Sequence, residues 1–131
     1  MHDIPDTHRD LLDADVASLS TISDDGFPQV TMVWFMHDHG ELRLSLNTAR
    51  VKTRNLRKRP QCGLLILDLE NPYRYLEIRA RAHIEPDDDY VFADALGRKY
   101  GGVDLRSRDQ PGESRVAVTL ETVGVWAVKL R

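Results

Sequence analysis

The 131-residue chain carries 18 Lys and Arg against 21 Asp and Glu, a formal net charge of -3, and is 41% hydrophobic and 30% charged. That length allows one hydrophobic core, and the balance belongs to a soluble globular protein rather than a disordered one, so a single domain over 1–131 is expected. No apolar run approaches the ~20 residues of a membrane span, "MHDIPDTHRDLL" lacks the apolar stretch of a signal peptide, and a lone cysteine excludes an internal disulfide; a cytoplasmic location with no membrane contact is the default.

Residues 8–14, "HRDLLDA", are expected to form a short capping helix. Period two dominates after them. "VASLSTI" (16–22), the turn "SDDGFP" and "QVTMVWFMHD" (29–38) lead through "DHGE" into "LRLSLN", where Leu42, Leu44 and Leu46 alternate with Arg43, Ser45 and Asn47. This predicts a β-meander with glycines at its turns. The continuous apolar run "CGLLILDL" (62–69) predicts a strand covered on both faces, with Cys62 as a buried structural thiol. "YRYLEIRARAHIE" (73–85) alternates strictly, placing Leu76, Ile78, Ala80 and Ala82 opposite Tyr75, Glu77, Arg79 and Arg81. In "PDDDYVFADALGRKYGG" (86–102), Pro and three acids precede apolar residues at helical spacing (Val91, Ala95, Leu96, Tyr100), with Gly after the end. "SRVAVTLETVGVWAVKL" supplies one or two closing strands. Six or seven antiparallel strands with a few short helices point to a small, mainly β barrel, because closure removes exposed edges.

Between the strands lies "TARVKTRNLRKRPQ", which holds Arg50, Lys52, Arg54, Arg57, Lys58 and Arg59, a third of all the chain's cations. Asn47 or Thr48 can cap a helix over 50–59 that Pro60 stops. At about 100° per residue, Val51, Lys52, Asn55, Leu56 and Arg59 share one arc, while Arg50, Thr53, Arg54, Arg57 and Lys58 fill the other. Val51 and Leu56 then anchor the helix and aim Lys52 and Asn55 at the barrel, beside a helix N-terminus suited to phosphate. On spacing alone a solvated cationic helix reads equally well. Nucleic acid is not the expected partner, because the helix is enclosed by strands and the net charge lacks a basic excess.

The succession "GFPQVTMVWF", "LRLSLNTARVKTRNLRKRPQ", "LDLENPYRYLEIRARAHIEPDDDYVFADALGRKYGG" and "PGESRVAVTLE" resembles the pyridoxamine 5′-phosphate oxidase-like split β-barrel oxidoreductases, and within them the F420-dependent group B flavin/deazaflavin branch. The pattern R-x-K-x-R-N-L-R-x-x-P followed by N-P-Y-R-Y-x-E-I-R carries the resemblance, over about residues 5–128. It implies a homodimer that binds coenzyme F420 in a groove at the subunit interface. Matched residue by residue, it implies that Ala49, Arg50, Lys52 and Asn55 surround the cofactor phosphate and that Ser45 and Leu46 lie beside the phosphate and ribityl chain. Gln29 and Thr31 would face the deazaflavin ring, and Tyr73 and Tyr75 would approach it from the partner subunit. One departure is "RARA" where many relatives read R-G-x-A; Ala80 is expected to pack in the core.

Other polar residues have plainer readings. His37 and His39 lack a third spaced ligand and read as solvated turn residues, so no metal site is expected. His83 reads as structural, and Glu77 with Arg79 and Arg81 as charge pairs on a barrel face. No Ser/His/Asp or Cys/His set suggests covalent catalysis, as expected where a hydride-transfer cofactor carries the chemistry. The resemblance implies hydride transfer from C5 of reduced F420 to a small, electron-poor organic acceptor. FMN with flavin reductase or oxidase chemistry, and a non-catalytic F420 carrier, are the alternatives.

Overall fold

The computed structural model describes residues 3–131; residues 1 and 2 of the expected domain lie outside them. A 3-10 helix, Asp6–Asp13, stands where the capping helix was expected. Seven strands follow: β1 (Ala17–Ile22), β2 (Pro28–Val33), β3 (Met36–Asp38), β4 (Glu41–Asn47), β5 (Gln61–Asp68), β6 (Asn71–Pro86) and β7 (Arg115–Lys129). Two α-helices, α1 (Val51–Lys58) and α2 (Val91–Lys99), and a 3-10 turn, Leu105–Arg108, complete the fold. All pairings are antiparallel in one curled sheet of order β2-β1-β5-β6-β7-β4-β3, a mainly β split barrel.

The expected meander is not formed. β1 pairs with β2 and β3 with β4, but β2 and β3 lie at opposite edges of the sheet. The run expected as one strand over 29–38 breaks at Trp34–Phe35, and those two residues carry the chain from one edge to the other. Burial drives the break: the Phe35 side chain is fully enclosed, and its backbone N–H and C=O leave the ladder for the Tyr100 hydroxyl and the Lys99 ammonium, at 3.1 and 2.8 Å. Lys99 also donates to the Ala14 carbonyl at 2.7 Å and lies 4.2 Å from the centre of the Phe35 ring, and this burial pulls its pKa down.

Alternation holds elsewhere. Leu42, Leu44 and Leu46 of β4 meet Leu64 and Ile66 of β5, Leu76, Ile78, Ala80 and Ala82 of β6, and Val116, Val118 and Leu120 of β7 in one core. Ala80 is part of that core. β7 is a single closing strand, whose bulge at Val123 shifts the register against Arg79 and Ala80. β5 departs from expectation: Leu64 and Ile66 enter the core, while Gly63, Leu65 and Leu67 line an open outer groove. Cys62 is half-buried on that wall, and burial raises its thiol to about 11, which leaves it protonated and inert.

α2 turns a different face inward than its apolar spacing predicts. Phe92, Ala93, Leu96 and Gly97 are buried, and Val91 is exposed. Asp87 fixes this start, since its carboxylate accepts the N–H groups of Phe92 and Ala93 at 3.1 and 2.9 Å, and Tyr90 adopts a left-handed conformation to make the turn.

Candidate functional site

α1 is rotated from the predicted arc, and the rotation builds the site. Val51 is 46% exposed and anchors nothing, whereas Thr53, expected on the outer side, is fully buried and donates to the Asn47 carbonyl at 2.7 Å. Asn47 is not a helix cap in the strict sense. Its Oδ1 accepts the Ala49 N–H at 2.7 Å and shapes the turn before the helix, whose N-cap position is Arg50 and which has no side-chain cap. Leu56 supplies the apolar anchor, and Lys52 and Asn55 face the barrel as expected.

Lys52 is 8% exposed. Its Nζ donates to Thr31 Oγ1 at 3.0 Å, and no carboxylate is within ion-pair range among the described residues. Burial, with the neighbouring Arg50 charge, lowers its pKa. An ammonium has three donors and one is used, so two remain for a ligand. Beside it Asn55 Nδ2 donates to Thr21 Oγ1 at 3.0 Å, and that hydroxyl donates on to Gln29 Oε1 at 3.0 Å. Gln29, Thr31, Lys52 and Asn55 therefore meet on one seam between β1, β2 and α1.

From that seam a groove of ≈ 460 Å³ runs over Met32, Trp34, Ser45, Arg50, Lys52, Arg108 and Arg115. Ser45 lies half-buried in it. The Leu46 side chain is in the core, leaving its backbone to line the groove, and Ala49 is an exposed turn residue. Tyr73 and Tyr75 are not brought here within one chain. Tyr75 lines the outer groove on the opposite sheet face, and Tyr73 is exposed under the Arg131 guanidinium, 5.0 Å from its ring centre.

The groove also has a polar wall that the sequence did not announce. Arg115 grips Asp109 through Nε and Nη2 at 3.0 and 2.9 Å, and its Nη1 reaches Ser45 Oγ at 3.3 Å. The Asp109 carboxylate also accepts from the Tyr90 hydroxyl at 2.7 Å and from Asn47 Nδ2 at 2.8 Å. Burial would raise the Asp109 pKa, but these three donors outweigh it and hold the carboxyl below its ordinary value. The strand pattern of "RVAVTL" assigns Arg115 to β7, yet nothing local pairs it with a loop carboxylate or with a serine on β4.

Glu77, His83 and His39, the other polar residues weighed from the sequence, lie outside the groove. Glu77 pairs with Arg79 at 3.3 Å, His83 with Glu121 at 2.8 Å, and His39 is exposed at a turn beside Asp38. Of the outer cations of the basic segment, Lys58 and Arg59 pair with Asp24, and Arg54 donates to the Ala49 carbonyl. Among the described residues, no cluster of His, Cys, Asp and Glu is arranged to hold a metal, and no helix is long and apolar enough to cross a membrane.

A model of the pyridoxamine 5′-phosphate oxidase family matches residues 4–127. A solved F420 reductase is 31% identical, with 94% of this chain and 98% of that one covered at a TM-score of 0.81. The conserved hypothetical protein Rv2991 of Mycobacterium tuberculosis is 23% identical over 99% of this chain and 88% of its own, with a TM-score of 0.77. General Stress Protein 26 of Bacillus anthracis is 18% identical over 91% and 88%, with a TM-score of 0.67. The last two likenesses speak for the fold alone.

Proposed function

The chain belongs to the pyridoxamine 5′-phosphate oxidase family, and from that premise we propose that it is an F420-dependent reductase acting on a small, electron-poor organic acceptor. The observation that carries this reading is Lys52, a buried residue whose ammonium keeps two free donors and has no carboxylate partner among the described residues, in a groove beside Arg50 and Ser45. Such a charge is costly to bury without a counter-ion, and a phosphate oxygen would supply one. The full-length likeness to an F420 reductase supports the deazaflavin over FMN.

When bound, the deazaflavin would supply hydride chemistry at C5, and the protein's part would be to bind, orient and shield it. Lys52, Arg50 and Ser45 would hold the phosphate, with Arg115 keeping the Ser45 hydroxyl in place. Gln29 and Thr31, fixed through Thr21, Asn55 and Lys52, would align the ring.

The outer face of the sheet supports a homodimer. Ser18, Ser20, Gly63, Leu65 and Leu67 floor a groove of ≈ 760 Å³, with Tyr75 on its wall. A floor of Ser18, Ser20 and Gly63 beside the apolar Leu65 and Leu67 suits a second copy of the same face, which would carry Tyr73 and Tyr75 towards the neighbour's cofactor.

Titration of the purified protein with F420 and FMN, followed by a screen of electron-poor acceptors for oxidation of reduced F420, tests the proposal. Tight F420 binding with turnover is expected. F420 binding without turnover for any acceptor would make the protein a carrier, and tighter binding of FMN would make it a flavin enzyme.

A further inference from the structure

The chain has four lysines, and their nitrogens meet four different surroundings. Lys58 is paired with the Asp24 carboxylate at 3.1 Å, and Lys129 stands exposed on β7. Lys99 is packed shut, its Nζ donating to the Ala14 and Phe35 carbonyls at 2.7 and 2.8 Å and covered by the Phe35 ring. Lys52 alone among them combines burial, a single contact to the Thr31 hydroxyl and a place on the wall of an open groove.

The neutral form of an amine is the nucleophile, and a lysine gains it where its charge is poorly solvated or lies beside another cation. Burial and the Arg50 guanidinium both act in that direction at Lys52. Burial acts on Lys99 as well, but there two carbonyls and a ring enclose the nitrogen. A tetrahedral Lys52 nitrogen that gives one N–H to Thr31 keeps its lone pair off that bond. The rest of the groove selects by charge. With Lys52 neutral, its lining still carries three cations, Arg50, Arg108 and Arg115, against two carboxylates, Asp109 and Glu113. Arg108 lies over the Trp34 ring, 4.8 Å from its centre, while Asp109 and Glu113 are engaged by Arg115 and by Asn47 Nδ2. Such a lining draws in an anion and concentrates it.

We propose that Lys52 is an imine-forming amine, and that the groove captures small aldehydes that carry an anionic group. After the ammonium has released one proton to solvent, the Nζ lone pair adds to the carbonyl carbon and a C–N bond forms. The carbonyl oxygen then leaves as water with both remaining amine hydrogens, and the product is a neutral imine. No oxidation or reduction occurs, and no further reactant is needed. Capture is reversible, because water that re-enters the groove restores aldehyde and amine. This chemistry goes beyond the reductase reading and competes with it: an anion held at Lys52 would keep the nitrogen protonated, and an imine would occupy the anion's place.

The test incubates the wild-type protein near neutral pH with glyoxylate, an aldehyde bearing a carboxylate, or with propanal, which bears none, and traps the imines with cyanoborohydride. Peptide mass spectrometry reads the labelling rate of each lysine, so that exposed Lys129 is a reference within the same molecule. Glyoxylate is expected to label Lys52 roughly tenfold faster than Lys129, the low end of what a cationic cleft adds to the local concentration of an anion. Propanal should favour Lys52 by a smaller ratio, and Lys99 should stay unlabelled with both. Glyoxylate labelling of Lys52 no faster than that of Lys129 would overturn the proposal. Labelling of Lys99 as fast as Lys52 would also overturn it, by placing the reactivity in opened molecules rather than in the groove, and equal ratios for the two aldehydes would overturn the anionic ligand class. F420 added beforehand should suppress labelling at Lys52 alone. Selective labelling that F420 does not suppress leaves the amine standing and takes the phosphate away from Lys52; F420 binding without selective labelling sinks the amine and leaves the reductase reading in place.

Discussion

Replacing Lys52 with Met separates what the residue does for the fold from what it does for a ligand. Met keeps the length of the buried stem and removes the charge. In the free protein Lys52 is 8% exposed, its ammonium is held among the described residues by Thr31 alone, and both burial and Arg50 act against its charged form. Lys52→Met is therefore expected to leave the melting temperature unchanged or raise it. Binding should respond in the opposite direction. A charge-assisted hydrogen bond is worth about 1.5–3 kcal/mol, so the dissociation constant for F420 should rise roughly 10- to 150-fold. The charge also predicts a pH dependence. An anion raises the lowered Lys52 pKa again, so affinity is full below the free-state pKa, falls as pH rises through it, and levels off above the bound-state pKa, with proton uptake on binding in that alkaline window. Thermal unfolding and calorimetry in alkaline buffers of different ionisation enthalpy measure both sides. A variant that melts well below the wild type yet binds F420 equally would show that Lys52 is structural.

Asp109→Ala strands Arg115 in a pair whose side chains are 9% and 4% exposed, and should cost about 3 kcal/mol, read as a fall of roughly 10 °C in melting temperature. Because the folded Asp109 pKa is lowered, its contribution is present above the ordinary carboxyl range and lost as pH falls through the folded value; the gap between wild type and variant should close in acid. Gly97→Ala, which in an exposed helix would stabilise by about 0.5–1 kcal/mol, should instead destabilise, since its Cβ would overlap the Val103 carbonyl oxygen; a thermal melt above wild type would contradict this. Ser20→Arg on the floor of the outer groove should give a folded monomer by light scattering, with F420 affinity lost through the missing partner. A dimer that keeps full affinity would move the interface elsewhere.

Local patterns were legible where one face of an element decides its fate. The leucines of β4 and the alternation of β6 were readable because their inward residues all enter one core. The inward turn of Lys52 and Asn55 was readable from helical spacing, but Val51 and Thr53 exchange roles because a hydroxyl that reaches a buried carbonyl outcompetes an apolar side chain on the rim. Hydropathy carried no information on the Trp34–Phe35 crossing, since an unbroken strand and a corner with a buried Phe share the same alternation. The Arg115–Asp109–Asn47 wall and the Arg108–Trp34 stack join residues distant in the chain, so no window of sequence contains them.

The order of the sheet has a kinetic meaning. β5 and β6 are joined by a tight turn and can zip locally, whereas β4 must find β7 across the whole span from Asn47 to Arg115. Loop-closure entropy makes that ladder the slow one to form. Lys52 and Arg50 follow β4 directly and Arg108 and Arg115 border β7, so both ends of the groove meet only when this ladder closes. A ligand held by both sides of the groove makes its contacts only after that slow closure. It should therefore lengthen the lifetime of the folded protein by slowing its unfolding while leaving the rate of folding almost untouched.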